Sequence, residues 1–289
     1  MATLKLKKSY CNNQLRDYST LFKRSEVNLW LRNDFSSLDL KIQRYDQKWN
    51  NHNMDYFGYI RHIYQVLEKK YPNEYIYKNN FLNDWILKKF ALENSVVFNE
   101  FRVVDSIADL VIFNGCSKVF EIKTILDGEY RLSKQLESYK KIFNEIYIIV
   151  PLSQIERYLK FEEKIGVITY DHLSNCFTVV QESTKNLEID PCTAMNILRT
   201  KEYKSIVSQY YGETPEMNDF NQYEVCKKLI EQIPPISFNK MFVDLMKVRK
   251  INNNFQKEYK ELNQICLAMN LSLKEQDLLY KNLKNLINY

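Results

Sequence analysis

Hydrophobic residues recur along this chain at two periods, the 3.6-residue repeat of a helix and the two-residue repeat of a strand. Leu15, Tyr18 and Phe22 follow the helical repeat, as do Tyr56, Tyr59, Ile60, Ile63 and Leu67. Residues 1 to about 70 are therefore predicted to be helical. Asn50-Asn51-His52-Asn53 reads as a loop between these helices, and Pro72 ends the second. Phe81, Leu82, Trp85, Ile86 and Phe90 predict an amphipathic helix from Phe81 to Phe90. The period then changes. Ser95 to Val104, Asp109 to Phe113 and Lys118 to Thr124 are rich in β-formers, with a hairpin signal at Asn114-Gly115 between the last two.

Asp127-Gly128 breaks the third strand, and Leu132, Leu136, Tyr139 and Phe143 then line one face of a helix. Ile146 to Val150 is a continuous apolar run that reads as a buried strand, stopped by Pro151. A short helix from Ile155 to Phe161, a strand from Gly166 to Tyr170 and an edge strand from Phe177 to Val180 follow. Helix, three strands, helix, strand, helix, strand is the order of an α/β layer around a mixed sheet. Thr193 to Tyr211 reads as one helix, and the stretch from Tyr211 to Asn221 as a linker. From Met241 to Met269 apolar residues keep a 4-3 spacing with Asn252 among them. That is either a heptad seam with one polar layer or two helices broken at Asn252-Asn253-Asn254. Ser272 to Glu275 fits a capping box opening a last helix. The final pair of helices permits a helix-turn-helix, though two simply packed helices are commoner. The predicted division is a helical region over 1–72, an α/β core over 73–211 and a helical region over 222–289.

Composition changes this picture little. At 289 residues with 45% hydrophobic content the chain can bury a sizeable core, and only 5 Gly and 6 Pro favour long regular elements. A net charge of +5, from 41 Lys and Arg against 36 Asp and Glu, permits a polyanionic partner without demanding one. The 21 Tyr and 16 Phe include candidates for stacking on bases. Lys23, Arg24, Arg44, Tyr45, Lys48, Trp49, Arg61 and His62 could meet a nucleic-acid backbone, or form a solvated face of a packed helix region. None of the six cysteines forms a Cys-x-x-Cys pair, so they read as reduced thiols and point to a cytoplasmic setting. His52, His62 and His172 lack ligand spacing to one another. The basic start, Lys5, Lys7 and Lys8, precedes no apolar stretch of a signal peptide, and no run reaches the about 18–20 apolar residues of a membrane span.

The chemistry gathers between Asp109 and Tyr139. Asp109 heads one strand of the predicted hairpin, and Glu121 and Lys123 stand on the other, two residues apart and hence on one face. Two carboxylates converging there suit Mg²⁺, with the backbone carbonyl of Ile122 as a further oxygen donor. An ammonium at Lys123 could orient water or stabilise charge on a phosphate. On Glu-x-Lys alone a half-exposed strand with a solvated ion pair is the better explanation of the alternation. The spacing to Asp109, the hairpin turn and the helix that follows change that judgement.

Asp109-x11-Glu121-x-Lys123 resembles the core of the PD-(D/E)XK nuclease superfamily. Gln135-x3-Tyr139 on the next helix is similar to the Gln-x-x-x-Tyr motif of its RecB-like branch, and the wider string to Phe143 and Val150 resembles small bacterial members. The likeness covers residues 74 to 180. It implies a restriction-endonuclease-like mixed sheet flanked by helices, with helical N- and C-terminal extensions. It also implies an enzyme, a Mg²⁺- or Mn²⁺-dependent hydrolase of phosphodiester bonds, acting on DNA in defence, mobile-element or repair settings. Asp109 and Glu121 would be metal ligands, Lys123 the catalytic lysine, and Gln135 and Tyr139 supports of the site or substrate contacts. Arg131, one turn before Gln135, is either a phosphate contact or a surface charge. The pattern departs from the family in having Ile107-Ala108 and no Pro before Asp109. For the upstream acid the candidate is Glu100, with Asp84 and Glu93 behind it, and a surface role suits Glu100 equally. Other readings are an inactive nucleic-acid-binding protein of the same fold and an RNA-cleaving toxin. The C-terminal helices are candidates for a homo-oligomer or partner-protein surface.

Overall fold

The computed structural model describes residues 9–51, 54–125, 127–128, 130–159 and 162–287. Lys5, Lys7, Lys8, His52, Asn53 and Phe161 lie outside these. In chain order the helices are α1 (Asn12–Ser19), α2 (Arg24–Leu31), α3 (Ser36–Tyr45), α4 (Tyr56–Lys70), α5 (Glu74–Phe81) and the short α6 (Leu87–Lys89). After three strands come α7 (Leu132–Lys140), α8 (Ile155–Leu159), α9 (Pro191–Met195), α10 (Thr200–Tyr211), α11 (Gln222–Ile230), α12 (Pro235–Lys247), α13 (Asn263–Ala268) and α14 (Leu273–Leu283). The strands are β1 (Val96–Val103), β2 (Ser106–Phe113), β3 (Ser117–Ile122), β4 (Glu145–Pro151), β5 (Gly166–Asp171) and β6 (Cys176–Gln181). No helix among the described residues is long and apolar enough to cross a membrane.

The six strands form one sheet in sequence order. β1, β2 and β3 run antiparallel in turn, β4 and β5 continue parallel to β3, and β6 returns antiparallel to β5. Gly115 turns the β2–β3 hairpin at φ 101°, a conformation in which a side chain would be strained, and the Asn114 N–H bonds the Cys116 carbonyl. Alternation along β3 separates two faces. Phe120 points to one, where it meets Phe81 at 5.0 Å and stacks on Tyr147 at 5.6 Å between ring centres. Val119 points to the other, into a core with Leu132, Leu136, Tyr139 and Phe143 of the α7 segment. Glu121 and Lys123 share that second face.

By contact the chain forms two units, Met1–Asn79 with Asn254–Tyr289, and Asn80–Asn253. This differs from the division drawn from the sequence. α9 to α12 belong with the sheet because Met195, Tyr203, Ile206, Cys226, Phe238, Phe242 and Met246 bury in the same core as α7. The predicted linker is non-helical, but it joins packed helices: the Tyr211 hydroxyl bonds the Leu229 carbonyl at 2.9 Å. The other unit buries Leu15, Tyr18, Trp30, Ile42, Ile60 and Ile63 with Leu262, Cys266, Leu279 and Leu283. Two element boundaries also differ. The helix expected at Phe81 begins at Glu74 and passes through a π-turn over Leu82–Ile86. The helix expected from Thr193 to Tyr211 is two, α9 and α10. Of the two readings of the 4-3 spacing after Met241, the broken one holds: α12 stops at Lys247 and no helix resumes before Lys260. The capping box at Ser272 forms as expected.

The break in that seam has a visible purpose. Asn253 lies beside β1, where its side chain accepts from the Val97 N–H at 2.7 Å and donates to the Val97 carbonyl at 3.0 Å. The amide thus pairs with the outer edge of the sheet as a backbone group would. Asn253→Ala should lower stability by about 1–3 kcal/mol, because both groups of the buried Val97 lose a partner. A fall in the urea midpoint at unchanged m-value would show it, and an unchanged midpoint would refute it.

Candidate active site

The site begins where the β2–β3 ladder ends. Its last paired residues are Leu110 and Phe120, and the next step brings Asp109 opposite Glu121. The Ile122 N–H, which faces β2, does not meet a carbonyl. It donates to Asp109 Oδ2 at 2.7 Å. On its other side β3 stays joined to β4, with the Lys123 N–H on the Ile149 carbonyl at 2.8 Å. The Asp109 carboxylate therefore takes the place of a ladder bond where the two strands part.

α7 closes over this opening. Its apolar stripe, Leu132, Leu136 and Tyr139, docks on the sheet and fixes the helix in register. Gln135 and Tyr139, one turn apart, then face Glu121. Lys123 Nζ donates to Glu121 Oε1 at 2.8 Å and to Gln135 Oε1 at 3.0 Å. Gln135 Nε2 donates to the same Glu121 Oε1 at 2.7 Å. The Tyr139 hydroxyl lies 2.8 Å from Glu121 Oε2 and 3.1 Å from the Ile107 carbonyl. Glu121 is 3% exposed and Lys123 7%. A solvated ladder pair on a surface strand is therefore not what the fold contains.

Burial, and after it the charge of Asp109, raise the Glu121 carboxyl to a pKa of about 7, against the pull of Lys123 in the other direction. Burial and the neighbouring Glu121 raise the Tyr139 hydroxyl, which keeps it a proton donor. The hydrogen-bond inventory leaves room for a ligand. Three contacts occupy Glu121, whereas a carboxylate offers roughly four lone-pair sites. Two of the three donors of an ammonium are used at Lys123, and the third has no partner among the described residues. Two hard carboxylates beside one another fit a magnesium-type ion, which keeps several waters and needs one or two protein carboxylates. Among the described residues no group of three or more His, Cys, Asp or Glu side chains could enclose a metal.

Asp109, Glu121, Lys123, Gln135 and Tyr139 come together as the spacing predicts. Arg131 is exposed at the N-cap of α7. Glu100 does not join the cluster. It sits on β1 at φ 54° and lines a separate cleft with Arg102, Arg199 and Arg249. Asp84 pairs with Lys88 and Asn175 instead. One contributor has a role the sequence reading missed. Asp127 Oδ2 accepts from both the N–H and the hydroxyl of Thr124, each at 2.7 Å, and so shapes the turn that leaves β3 beside the site. Thr124-x-x-Asp127 is the local hydrogen-bonding spacing that could have revealed it.

The family profile of bacteriophage P4 protein cII matches residues 68–284, well over half of the chain. The chain belongs to that family. Protein cII of Enterobacteria phage P4 is 28% identical over 134 residues, 45% of this chain and 51% of the phage protein. The chain thus spans about half the length of the curated relative it matches. Among solved structures, the SPO1766 protein of unknown function from Silicibacter pomeroyi aligns with 44% of this chain and 87% of its own length, at 13% identity and a TM-score of 0.29.

Glu121 makes the metal-free protein pH-sensitive in a definite direction. Its carboxyl is raised in the fold, so its contribution is intact below the unfolded value of 4.5 and is lost as pH climbs through about 7. The melting temperature of Glu121→Gln relative to the natural chain should therefore rise from pH 5 and level off above about pH 7 in EDTA. A difference that does not change with pH would overturn the electrostatic account.

Proposed function

We propose that the chain is a divalent-metal-dependent nuclease, with DNA as its first substrate and a sheet unit of restriction-endonuclease-like topology. Three antiparallel strands, a helix, and a fourth strand parallel to the third agree with that fold. The observation that carries the reading is the convergence on Glu121. Lys123 from the same strand and Gln135 and Tyr139 from α7 all bond one buried carboxylate, with Asp109 beside it. A structural ion pair needs one partner. Three donors spent on one carboxylate at a strand end fit a position held for chemistry.

In this reading Asp109 and Glu121 would hold Mg²⁺ or Mn²⁺, with the carbonyl of Ile122 beside them. The ion would supply charge on the phosphoryl oxygen and a more acidic water. The protein's own groups do the rest. Tyr139 and Gln135 fix the Glu121 carboxylate, so both its oxygens keep their direction without solvent. Lys123, anchored by two acceptors, turns its remaining donor to the attacking water or to the scissile phosphate. Arg131, exposed one turn ahead of Gln135, is placed to meet a neighbouring phosphate. Kinship with a phage protein supports a mobile-element setting.

The test is a cleavage screen over single- and double-stranded DNA and RNA, with Mg²⁺, Mn²⁺ or EDTA. DNA should be cut only with metal, and Asp109→Ala or Lys123→Ala should slow the cut by about 100-fold or more, with circular dichroism showing each variant still folded at the assay temperature. Full activity of either variant, or cleavage in EDTA, would overturn the assignment. Metal-dependent cutting of RNA alone would move the substrate. Nucleic-acid binding with no cleavage of any substrate would leave an inactive member of the fold.

A further inference from the structure

A second candidate binding surface lies in the helical unit, far along the chain from Glu121. Where α3 gives way to the 3₁₀ turn Gln47–Asn51, a cleft of about 730 Å³ opens, lined by Arg44, Tyr45, Asp46, Lys48, Trp49 and His62. Its floor is rigid. The buried Asp46 accepts from the hydroxyls of Tyr18 and Tyr59, the latter at 2.9 Å, and the Trp49 N–H bonds the Asp46 carbonyl at 2.9 Å. The Trp49 indole is clamped on two sides, by the edge of Tyr59 at 5.3 Å and by the tilted His62 ring at 5.1 Å. It nevertheless remains only half-buried. The rim is cationic. Lys48 is exposed, and the exposed Arg44 lies 5.8 Å from the Tyr45 ring and 3.6 Å from Asp17. An ion pair that open to water is weak and easily exchanged.

We propose that this cleft binds single-stranded nucleic acid, with a base stacked on Trp49 and the adjoining phosphates on Arg44 and Lys48. A held aromatic plate ringed by long cations matches the two chemistries of a nucleotide, a flat π-face and a repeating negative charge. Asp46, the acid in the lining, accepts both tyrosine hydroxyls on its Oδ2. A duplex hides its base faces within the stack, so it should compete poorly. The residues lining the cleft precede residue 68, where the family match begins.

Binding is measured on the full-length Lys123→Ala chain in EDTA, which keeps the outcome independent of whether the protein cleaves. A short fluorescein-labelled oligothymidylate should bind by anisotropy and quench tryptophan emission, since Trp30 is fully buried and Trp85 nearly so. Trp49→Ala should weaken binding roughly tenfold or more, while Trp49→Phe keeps most of the affinity and loses the quench. Arg44→Gln with Lys48→Gln should reduce the slope of log affinity against log salt by roughly 0.7 per cation removed. Melting curves establish that each variant is folded; should Trp49→Ala not fold, Trp49→Phe and the double cation variant carry the test. Unchanged affinity in the double cation variant, quenching that survives in Trp49→Phe, or equal affinity for a duplex or for thymidine monophosphate would overturn the proposal.

Discussion

A carboxylate and an ammonium buried against each other beneath a helix set the terms for the sheet unit. Taking Glu121 and Lys123 out of water costs several kcal/mol per ion, and their mutual attraction offsets this only when the remaining hydrogen-bonding sites are filled. α7 fills them. Gln135 bridges the pair, donating to Glu121 and accepting from Lys123, and Tyr139 caps the other carboxylate oxygen. Those contacts require α7 to dock in a single register. The apolar stripe of Leu132, Leu136 and Phe143 holds it there. The same low-dielectric setting that makes the pair costly makes any charge brought to it count for more.

Asp109 extends the same logic to the backbone. Where β2 and β3 separate, one N–H would be left without a ladder partner, and the side chain of Asp109 accepts it at 2.7 Å. The acid thus has a structural task as well as a candidate chemical one. A substitution there removes a ladder substitute along with a charge. This is why stability and activity have to be read side by side at this position, and equally at Lys123, whose loss leaves the buried Glu121 without its cation.

Much of this was legible in the sequence because it is local. β-formers at period two, Asn114-Gly115 between them, and Gln135 and Tyr139 one turn apart are all short-range patterns, and the fold keeps each of them. The failures are of two kinds. Some turns carry no glycine or asparagine: the β1–β2 connection passes through Val104 at φ 53°, which no propensity suggests. Other features depend on partners far away. The pairing of Asn253 with Val97 spans more than half the chain, and nothing near either residue announces it.

The apolar spacing from Met241 to Met269 shows how a correct period can still mislead. Both halves of it are real. Met241, Phe242 and Met246 pack into the core of the sheet unit, and Leu262, Ile265 and Cys266 pack into that of the helical unit. The spacing runs on because each segment buries a helical face, while the two faces serve different cores. Between them the chain must leave one unit and enter the other, and it does so at Asn253 and Asn254. The asparagines that look like a polar layer in a long seam therefore mark a crossing. One of them is held by Val97 on the sheet side of it. In chain order the sheet unit is an insertion within the helical unit, whose core needs both ends of the sequence. The N-terminal helices cannot bury their faces without residues that follow the sheet, as the bonds from Asn282 to the carbonyls of Trp30 and Leu31 make plain.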